Sequence, residues 1–216
     1  MKNVLWLIML CCGLVSGLTG CGNPSGSNEG EAGEKTLRLG MIPKSTGGEY
    51  WETVEVGARR AAEDFGVELK WEGTVTETEF AEQNMIIENM ITLGVDGLAL
   101  APLNRVAMRN MVSRTVTAGI PVVIFDSKVE GDDYASFVAT DNRAGGELGG
   151  EHLASLLEPA STVMVMRYVQ GAGSTEARSE GAIARLQAAG HTLAADPFAD
   201  TGTVEGCKTA AVNTLE

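Results

Sequence analysis

Polar residues that can bind a hydroxylated ligand follow two of the apolar segments of this chain. Asp126 and Ser127 end the segment IPVVIFDS, and Thr140 and Asn142 end FVATDN. A carboxylate at the end of a buried strand can accept hydrogen bonds from two neighbouring hydroxyl groups, although an aspartate in a solvated turn is the alternative. For Thr140 and Asn142 the alternative is helix capping, which Asn142 can combine with ligand contact. These four residues are candidate ligand contacts.

Two aromatic residues and a lysine follow the first apolar segment, in the sequence PKSTGGEYW. A predicted helix carries an apolar face formed by Tyr50, Val54, Ala58, Ala61 and Phe65. Because adjacent rings cannot share one face, Trp51 points elsewhere, and an indole that faces a cleft can stack on the C–H groups of a sugar ring. The alternative is that both rings form the buried start of the helix. Lys44, Tyr50 and Trp51 are therefore candidates as well.

Arg178 lies in an unusual place for a cation, the first turn of a helix that Ser174 and Thr175 open. The helix dipole disfavours positive charge there. Either Arg178 pairs with Glu176 and Glu180 on the same helix, or its guanidinium group points across a cleft toward ligand oxygens.

The sequence gives little evidence of a catalytic motif. His152 and His191 are the only histidines, and neither adjoins a nucleophile motif such as GxSxG. The run GGELGG at 145–150 lacks the Walker lysine and the dinucleotide glycine spacing, so we expect its glycines to permit close helix packing. The sequence thus predicts no catalytic residue, no cofactor and no metal site.

Strands and helices alternate along the chain, because short apolar runs are separated by segments with helical spacing of apolar residues. The predicted strands cover 37–42, 67–71, 97–102, 122–125, 137–140 and 163–167, with a last strand near Leu193 and a terminal helix. This pattern implies an α/β fold with parallel sheets covered on both faces. In such sheets ligands bind beyond the carboxyl ends of the strands, which is where the candidate residues lie.

Polar residues and glycines predict where helices and turns begin. Thr76 and Glu79 form a capping box before the second helix. Asn104, Asn142 and Thr175 are expected N-caps of later helices. Glycine makes up 27 of the 216 residues, which suggests many tight turns and close backbone approaches.

The first twenty residues predict a signal peptide, because the apolar run from Val4 to Val15 is too short to span a bilayer. Leu18-Thr19-Gly20-Cys21 resembles the bacterial lipobox, in which the cysteine sulfur receives a diacylglycerol. The alternative is an ordinary secretory signal with a coincidental cysteine. Residues 21–35 are rich in glycine, serine and charge, which is typical of a flexible tether.

Composition limits the class of protein. With 44% hydrophobic and 21% charged residues, the chain can bury a core and is neither disordered nor collagen-like. With a formal net charge of −13, the chain lacks the excess of basic residues expected of a nucleic-acid binder. At 216 residues, one large domain or two small ones are expected.

Five segments together, MIPKSTGGEYW, GVDGLALAPLN, AGIPVVIFDS, FVATDNRAGG and GAGSTEARSEG, resemble the periplasmic sugar-binding proteins of the ribose- and galactose-binding type. Those proteins are the substrate-capturing subunits of ABC importers. The resemblance implies a type I periplasmic-binding-protein fold, in which two Rossmann-like lobes close on a ligand.

The same resemblance implies roles for the candidate residues. Tyr50 and Trp51 match the aromatic pair that stacks on the sugar, Asp126 the carboxylate that binds its hydroxyls, Arg178 the second-lobe arginine, and Thr140 and Asn142 the polar loop of the first lobe. Lys44 recurs in members with an IPK motif, and Ser127 stands where some members have arginine.

Family members continue beyond the point that corresponds to Glu216, so we expect a truncated chain with an incomplete second lobe. The expected segments are a signal peptide at 1–20, a tether at 21–35, a first α/β lobe at 36–158 and a partial second lobe at 159–216.

The expected function is that of a monomeric, lipid-anchored binding protein of the cell envelope, in the periplasm or on the outer face of a membrane. It would capture a sugar or polyol and present it to the permease of an ABC importer. The alternatives are a ligand-sensing subunit for a membrane receptor and an exported carbohydrate-active enzyme with Asp126 as base. Nucleic acid is not an expected partner.

Overall fold

The computed structural model describes residues 35–199 and 201–216, in which strands and helices alternate as the sequence predicts. The predicted signal peptide, Cys21 and all of the predicted tether except Lys35 lie outside the described residues. Within the described residues, no helix is both long enough and apolar enough to cross a membrane.

Thirteen elements make up the described chain. In order they are β1 (Arg38–Ile42), α1 (Glu49–Phe65), β2 (Glu68–Trp71), α2 (Phe80–Leu93), β3 (Gly97–Leu100), α3 (Arg109–Thr117), β4 (Val122–Phe125), β5 (Ser136–Val138), α4 (Asn142–Leu156), β6 (Thr162–Met164), α5 (Gly173–Ala188), β7 (Thr192–Ala195) and α6 (Val204–Leu215). All the predicted strands are present, and β5 and β6 end two and three residues earlier than predicted.

Two parallel sheets organise these elements. The larger sheet has the order β2-β1-β3-β4-β5, and β6 pairs with β7 in the smaller sheet. Because every pairing is parallel, the carboxyl ends of β1, β3, β4 and β5 meet at one edge of the larger sheet. The strand order reverses between β1 and β3, and open α/β sheets bind ligands at such a point. The predicted α/β class is confirmed.

The two faces of the larger sheet are covered unequally. On one face, α2 and α3 close a core that contains Ile42, Ile87, Met90, Leu100 and Ile124. On the other face, α1 leaves an apolar cavity of about 590 Å³ between itself and the sheet. The prediction of full coverage on both faces is therefore met on the α2 and α3 side only.

Helix α1 buries a different aromatic residue from the one predicted. Trp51 is 5% exposed and is the buried residue of the helix, whereas Tyr50 is 60% exposed. Val54 and Ala58 lie three and seven residues beyond Trp51 and share its face. Phe65 lines the open apolar cavity and is consequently 81% exposed. The apolar face thus starts from Trp51, and the expectation that it starts from Tyr50 is wrong.

The caps of the helices differ in part from those predicted. At α4 the side chain of Asp141, rather than that of Asn142, accepts the N–H of Ala144. Half of the expected capping box forms, since Glu79 accepts the N–H of Thr76 at 2.7 Å. The Asn104 side chain accepts the N–H groups of two residues in a turn that precedes α3.

At α5 the predicted N-cap Thr175 lies inside the helix, which begins at Gly173 with Ala172 as its N-cap residue. The Thr175 hydroxyl donates to the Ala172 carbonyl at 3.2 Å instead of accepting an N–H group. The expected cap at Thr175 is therefore wrong.

Helices α4 and α5 pack closely because glycines lie at their contact. A Cβ on Gly146 would lie 1.9 Å from the Arg178 carbonyl oxygen, and one on Gly181 would lie 2.3 Å from that of Arg143. The expected packing role of the glycine run is confirmed. The predicted lobe boundary after residue 158 stays a prediction.

Replacing Gly146 by Ala should destabilise the fold, because the added methyl group meets backbone atoms of α5 that cannot move away alone. We expect the free energy of unfolding to fall by about 2 kcal/mol or more. Gly145→Ala is the matched control: its Cβ meets nothing within 4 Å, so the free energy of unfolding should rise by about 0.5–1 kcal/mol. Urea unfolding followed by circular dichroism measures both, and equal stability of the two variants would contradict the packing.

Candidate binding site

A cavity of about 910 Å³ lies at the carboxyl ends of the strands of the larger sheet, next to the first turn of α5. Seven of the eight predicted ligand residues line it: Lys44, Tyr50, Trp51, Asp126, Thr140, Asn142 and Arg178. Ser127 does not. The seven residues come from three separate loops and from α1, α4 and α5, and they meet where the rule that ligands bind beyond strand ends predicts.

Asp126 occupies a strained position directly after β4. Its φ of 61° lies in the left-handed region, which is unfavourable for a residue with a Cβ. The backbone N–H of Asp126 donates to the Val138 carbonyl at 3.0 Å, which continues the pairing of β4 with β5. Its Oδ2 lies 2.7 Å from Lys44 Nζ, and its Oδ1 accepts a hydrogen bond from the Tyr50 hydroxyl at 3.2 Å. The carboxylate therefore faces the loop that follows β1.

Lys44 is a nearly buried cation, 3% exposed, with three oxygen partners. Besides Asp126, its Nζ donates to Ser127 Oγ at 2.6 Å and to Ser174 Oγ at 3.2 Å. An ammonium group has three N–H donors, so these partners satisfy all of them. Lys44 therefore joins the loop after β1 to the end of β4 and to the start of α5.

Ser127 supports the cavity from behind. It is fully buried, and its hydroxyl oxygen accepts the backbone N–H of Ser174 at 3.1 Å. That N–H belongs to the first turn of α5, where backbone donors have no partner within the helix. The geometry favours this supporting role over the direct ligand contact predicted for Ser127.

The two aromatic rings meet edge to face. The centroids of Tyr50 and Trp51 are 4.9 Å apart at an interplanar angle of 82°, and Trp51 also contacts Phe125 in a T-shaped arrangement. Burial raises the pKa of the Tyr50 phenol, and the charge of Asp126 and its hydrogen bond to the phenol raise it further. Because Tyr50 is exposed and Trp51 is buried, Tyr50 offers the more accessible ring surface, and Trp51 contributes to the cavity wall.

Arg178 contacts Asn142 and forms no ion pair among the described residues. Its Nη2 donates to Asn142 Oδ1, while Asn142 Nδ2 donates to the Thr140 carbonyl at 3.0 Å. The two acids offered as alternative partners pair elsewhere: Glu176 with Arg105, and Glu180 with Arg143. The guanidinium group thus lines the cavity with donors to spare.

Further residues line the cavity that the sequence did not single out as ligand contacts, among them Glu77, Tyr168 and Ser174. Glu77 accepts the Trp51 indole N–H at 2.9 Å. Burial, and to a lesser extent the charges of Glu77 and Cys207, raise the pKa of Tyr168 to about 12. The strand-end rule could have found Glu77, which follows β2, and Tyr168, which follows β6. Among the described residues, no cluster of acids, histidines and cysteines suits a metal ion.

Comparisons with known proteins agree with this architecture. The profile of the family described as "Periplasmic binding protein domain" matches residues 39–215. The D-ribose/D-allose-binding protein of Pseudomonas aeruginosa is 32% identical over 183 residues, an alignment that covers 80% of this chain and 57% of that protein. The chain spans about half the length of the curated relatives it matches.

Two solved structures are similar in sequence and fold. The periplasmic component of an ABC-type sugar transport system from Hahella chejuensis has a TM-score of 0.72 and 30% identity, covering 75% of this chain and 60% of that one. A carbohydrate transporter solute binding protein from Agrobacterium radiobacter, in complex with D-arabinose, has a TM-score of 0.75 and 27% identity, covering 83% and 61%.

Replacing Asp126 by Asn should lower the pKa of the Tyr50 phenol. The variant removes the negative charge beside the phenol, and Asn tolerates the left-handed backbone. Because burial still acts on Tyr50, its pKa should stay above the ordinary value. Ultraviolet titration of tyrosinate, with Tyr50→Phe to assign the curve, measures the change. An unaltered titration of Tyr50 in the Asn variant would contradict the contact.

Proposed function

Because this chain belongs to the family of periplasmic binding protein domains, we propose that it is a solute-binding protein that captures a sugar or sugar-like polyol in the cavity at the strand ends. Its fold is the type I periplasmic-binding-protein fold with an incomplete second lobe. The fold forms the cleft, and the residues that line the cleft indicate the class of ligand.

One observation carries the proposal: Asp126, which follows β4, and Arg178, which lies on α5, line the same cavity. A carboxylate accepts hydrogen bonds from hydroxyl groups, and a guanidinium group donates several in a planar fork. Sugar hydroxyls both donate and accept, so a sugar satisfies both groups at once. The Tyr50 bond to Asp126 is long, at 3.2 Å, and a ligand hydroxyl can replace it.

The ring surfaces support a sugar over an equally polar ligand without C–H faces. Tyr50 and Trp51 present aromatic surface beside the polar groups, and sugar rings stack on such surface with their C–H groups. The names of the relatives, a D-ribose/D-allose-binding protein and a protein in complex with D-arabinose, support a pentose or hexose as the ligand class.

Transport is the role that we propose for this binding. The similar structure from Hahella chejuensis is named as the periplasmic component of an ABC-type sugar transport system, which supports an ABC importer as the partner and the periplasmic side of a membrane as the location. Attachment of lipid at Cys21 would hold the protein there, in keeping with the lipobox-like sequence that ends at this residue.

Enzymatic use of Asp126 as a base is less well supported. Its oxygens already accept hydrogen bonds from Tyr50 and Ser127 and contact the ammonium group of Lys44. Such a carboxylate is positioned to bind rather than to remove a proton from a ligand. The geometry therefore favours a binding protein.

Isothermal titration calorimetry with D-ribose, D-allose and D-arabinose tests the proposal. We expect at least one of these sugars to bind the chain, and Arg178→Ala to weaken that binding by about tenfold or more, because a charged hydrogen-bond donor is lost. Arg185→Ala, on the same helix but outside the cavity, is the matched control and should bind as the wild type does. Equal losses in the two variants, or no binding by the wild type, would contradict the proposed function.

A further inference from the structure

The loop between β2 and α2 places a carboxylate in the cavity without a cationic partner. Glu77 lines the same cavity as Asp126. Its Oε1 accepts the indole N–H of Trp51 at 2.9 Å, and Oε2 has no hydrogen-bond partner among the residues that the structure describes. In that part of the chain no ion pair forms at Glu77. Within the described part of the chain, one oxygen is therefore engaged by the protein and the other has no partner.

Hydrogen bonds to the loop after β1 hold this segment in place. The Thr74 hydroxyl donates to the Lys44 carbonyl at 2.6 Å, and the Thr74 carbonyl accepts the N–H of Thr46 at 2.9 Å. The Ser45 hydroxyl donates to the Val75 carbonyl, also at 2.9 Å. Because the loop is tied in three places directly before Glu77, the position of its carboxylate is set before any ligand arrives.

The charge of Glu77 affects two tyrosines in separate segments of the chain. It contributes to the raised pKa of Tyr168, which follows β6, and in a smaller measure to that of Tyr50 on α1. Glu77 is thus electrostatically close to both tyrosines that line the cavity.

Asp126 and Glu77 differ in charge balance. The ammonium group of Lys44 neutralises Asp126 at 2.7 Å, whereas among the described residues the partner of the Glu77 carboxylate is the neutral indole N–H of Trp51. A carboxylate without a cation nearby accepts hydrogen bonds and repels anionic groups. The part of the ligand that lies beside Glu77 must therefore carry a hydrogen-bond donor.

We propose that Glu77 is a specificity-determining residue of the cleft: its Oε1 fixes the Trp51 indole, and its Oε2 accepts a hydrogen bond from a ligand hydroxyl. This inference rests on the proposed function and extends it, because it assigns the donor requirement to one side chain. Glu77 thus has two separable effects, one on Trp51 without ligand and one on the ligand itself.

Two variants separate these effects. Glu77→Gln keeps an oxygen that accepts the indole N–H but loses the charge, so the Trp51 indole resonance in a ¹H–¹⁵N spectrum should stay near its wild-type position. Glu77→Ala removes the acceptor, and the resonance, assigned with Trp51→Phe, should move upfield. Glu52→Gln, an exposed position on α1, is the matched control for the loss of charge and should change neither resonance nor binding.

Calorimetry with D-ribose, D-allose and D-arabinose then measures the ligand contact. For whichever of these sugars the wild type binds, we expect Glu77→Gln to weaken binding about three- to tenfold and Glu77→Ala about tenfold or more, because hydrogen bonds to a charged acceptor are the stronger kind. Circular dichroism melting verifies that both variants fold.

Each outcome decides a different part of the inference. Binding by Glu77→Gln equal to that of the wild type overturns the ligand contact, and an unshifted Trp51 indole in Glu77→Ala overturns the positioning of Trp51. If the wild type binds none of the three sugars, the proposed function fails and the ligand contact fails with it, while the indole resonance still decides the positioning of Trp51.

Discussion

An ion pair between the buried Lys44 and the partly exposed Asp126 is the interaction on which the geometry of the cleft depends. Removing two charges from water is costly, and the cost is offset only when the charges are paired and their remaining donors and acceptors are satisfied. Here the ammonium group meets Asp126, Ser127 and Ser174. The same pairing helps to hold Asp126 in its left-handed conformation, a strain of about 1–3 kcal/mol that persists only when neighbouring contacts over-determine it.

The polar side chains of the cavity differ in their charge partners and in the hydrogen bonds that they can offer a ligand. Because Asp126 is neutralised by Lys44, it can accept ligand hydroxyls without placing an isolated charge in the cleft. Arg178, whose contact is the neutral Asn142, supplies donors, and Glu77 supplies an acceptor beside Trp51. The arrangement suits a neutral ligand that carries both donors and acceptors around an apolar ring, as a sugar does.

Much of this organisation could be predicted from the sequence, because apolar strands and their ends follow from local patterns. The sequence could not show that Trp51, rather than Tyr50, is the buried ring of α1. Helical spacing alone cannot decide which of two adjacent rings faces a sheet whose position is not yet known. The same holds for the cap of α4, where Asp141 and Asn142 are both good N-caps. The sequence predicts Ser127 as a ligand contact and cannot show its burial, which depends on α5, an element distant in the sequence. Glu77 follows β2, so the strand-end rule places it near the cavity, but its hydrogen bond to Trp51 leaves no pattern in the sequence.

A double-mutant cycle on Lys44 and Asp126 tests the central claim most directly. Equilibrium urea unfolding of the wild type, Lys44→Met, Asp126→Asn and the double variant gives the four free energies of unfolding. If the ion pair organises the cleft, Asp126→Asn loses about 3 kcal/mol, because the buried charge of Lys44 is left without its partner. Lys44→Met loses less, because Asp126 is partly exposed and keeps its hydrogen bonds to Tyr50 and Ser127. The double variant then loses less than the sum of the two, with a coupling energy of at least about 1 kcal/mol. Losses that add to within about 0.5 kcal/mol would show that the two side chains act independently and would contradict the account.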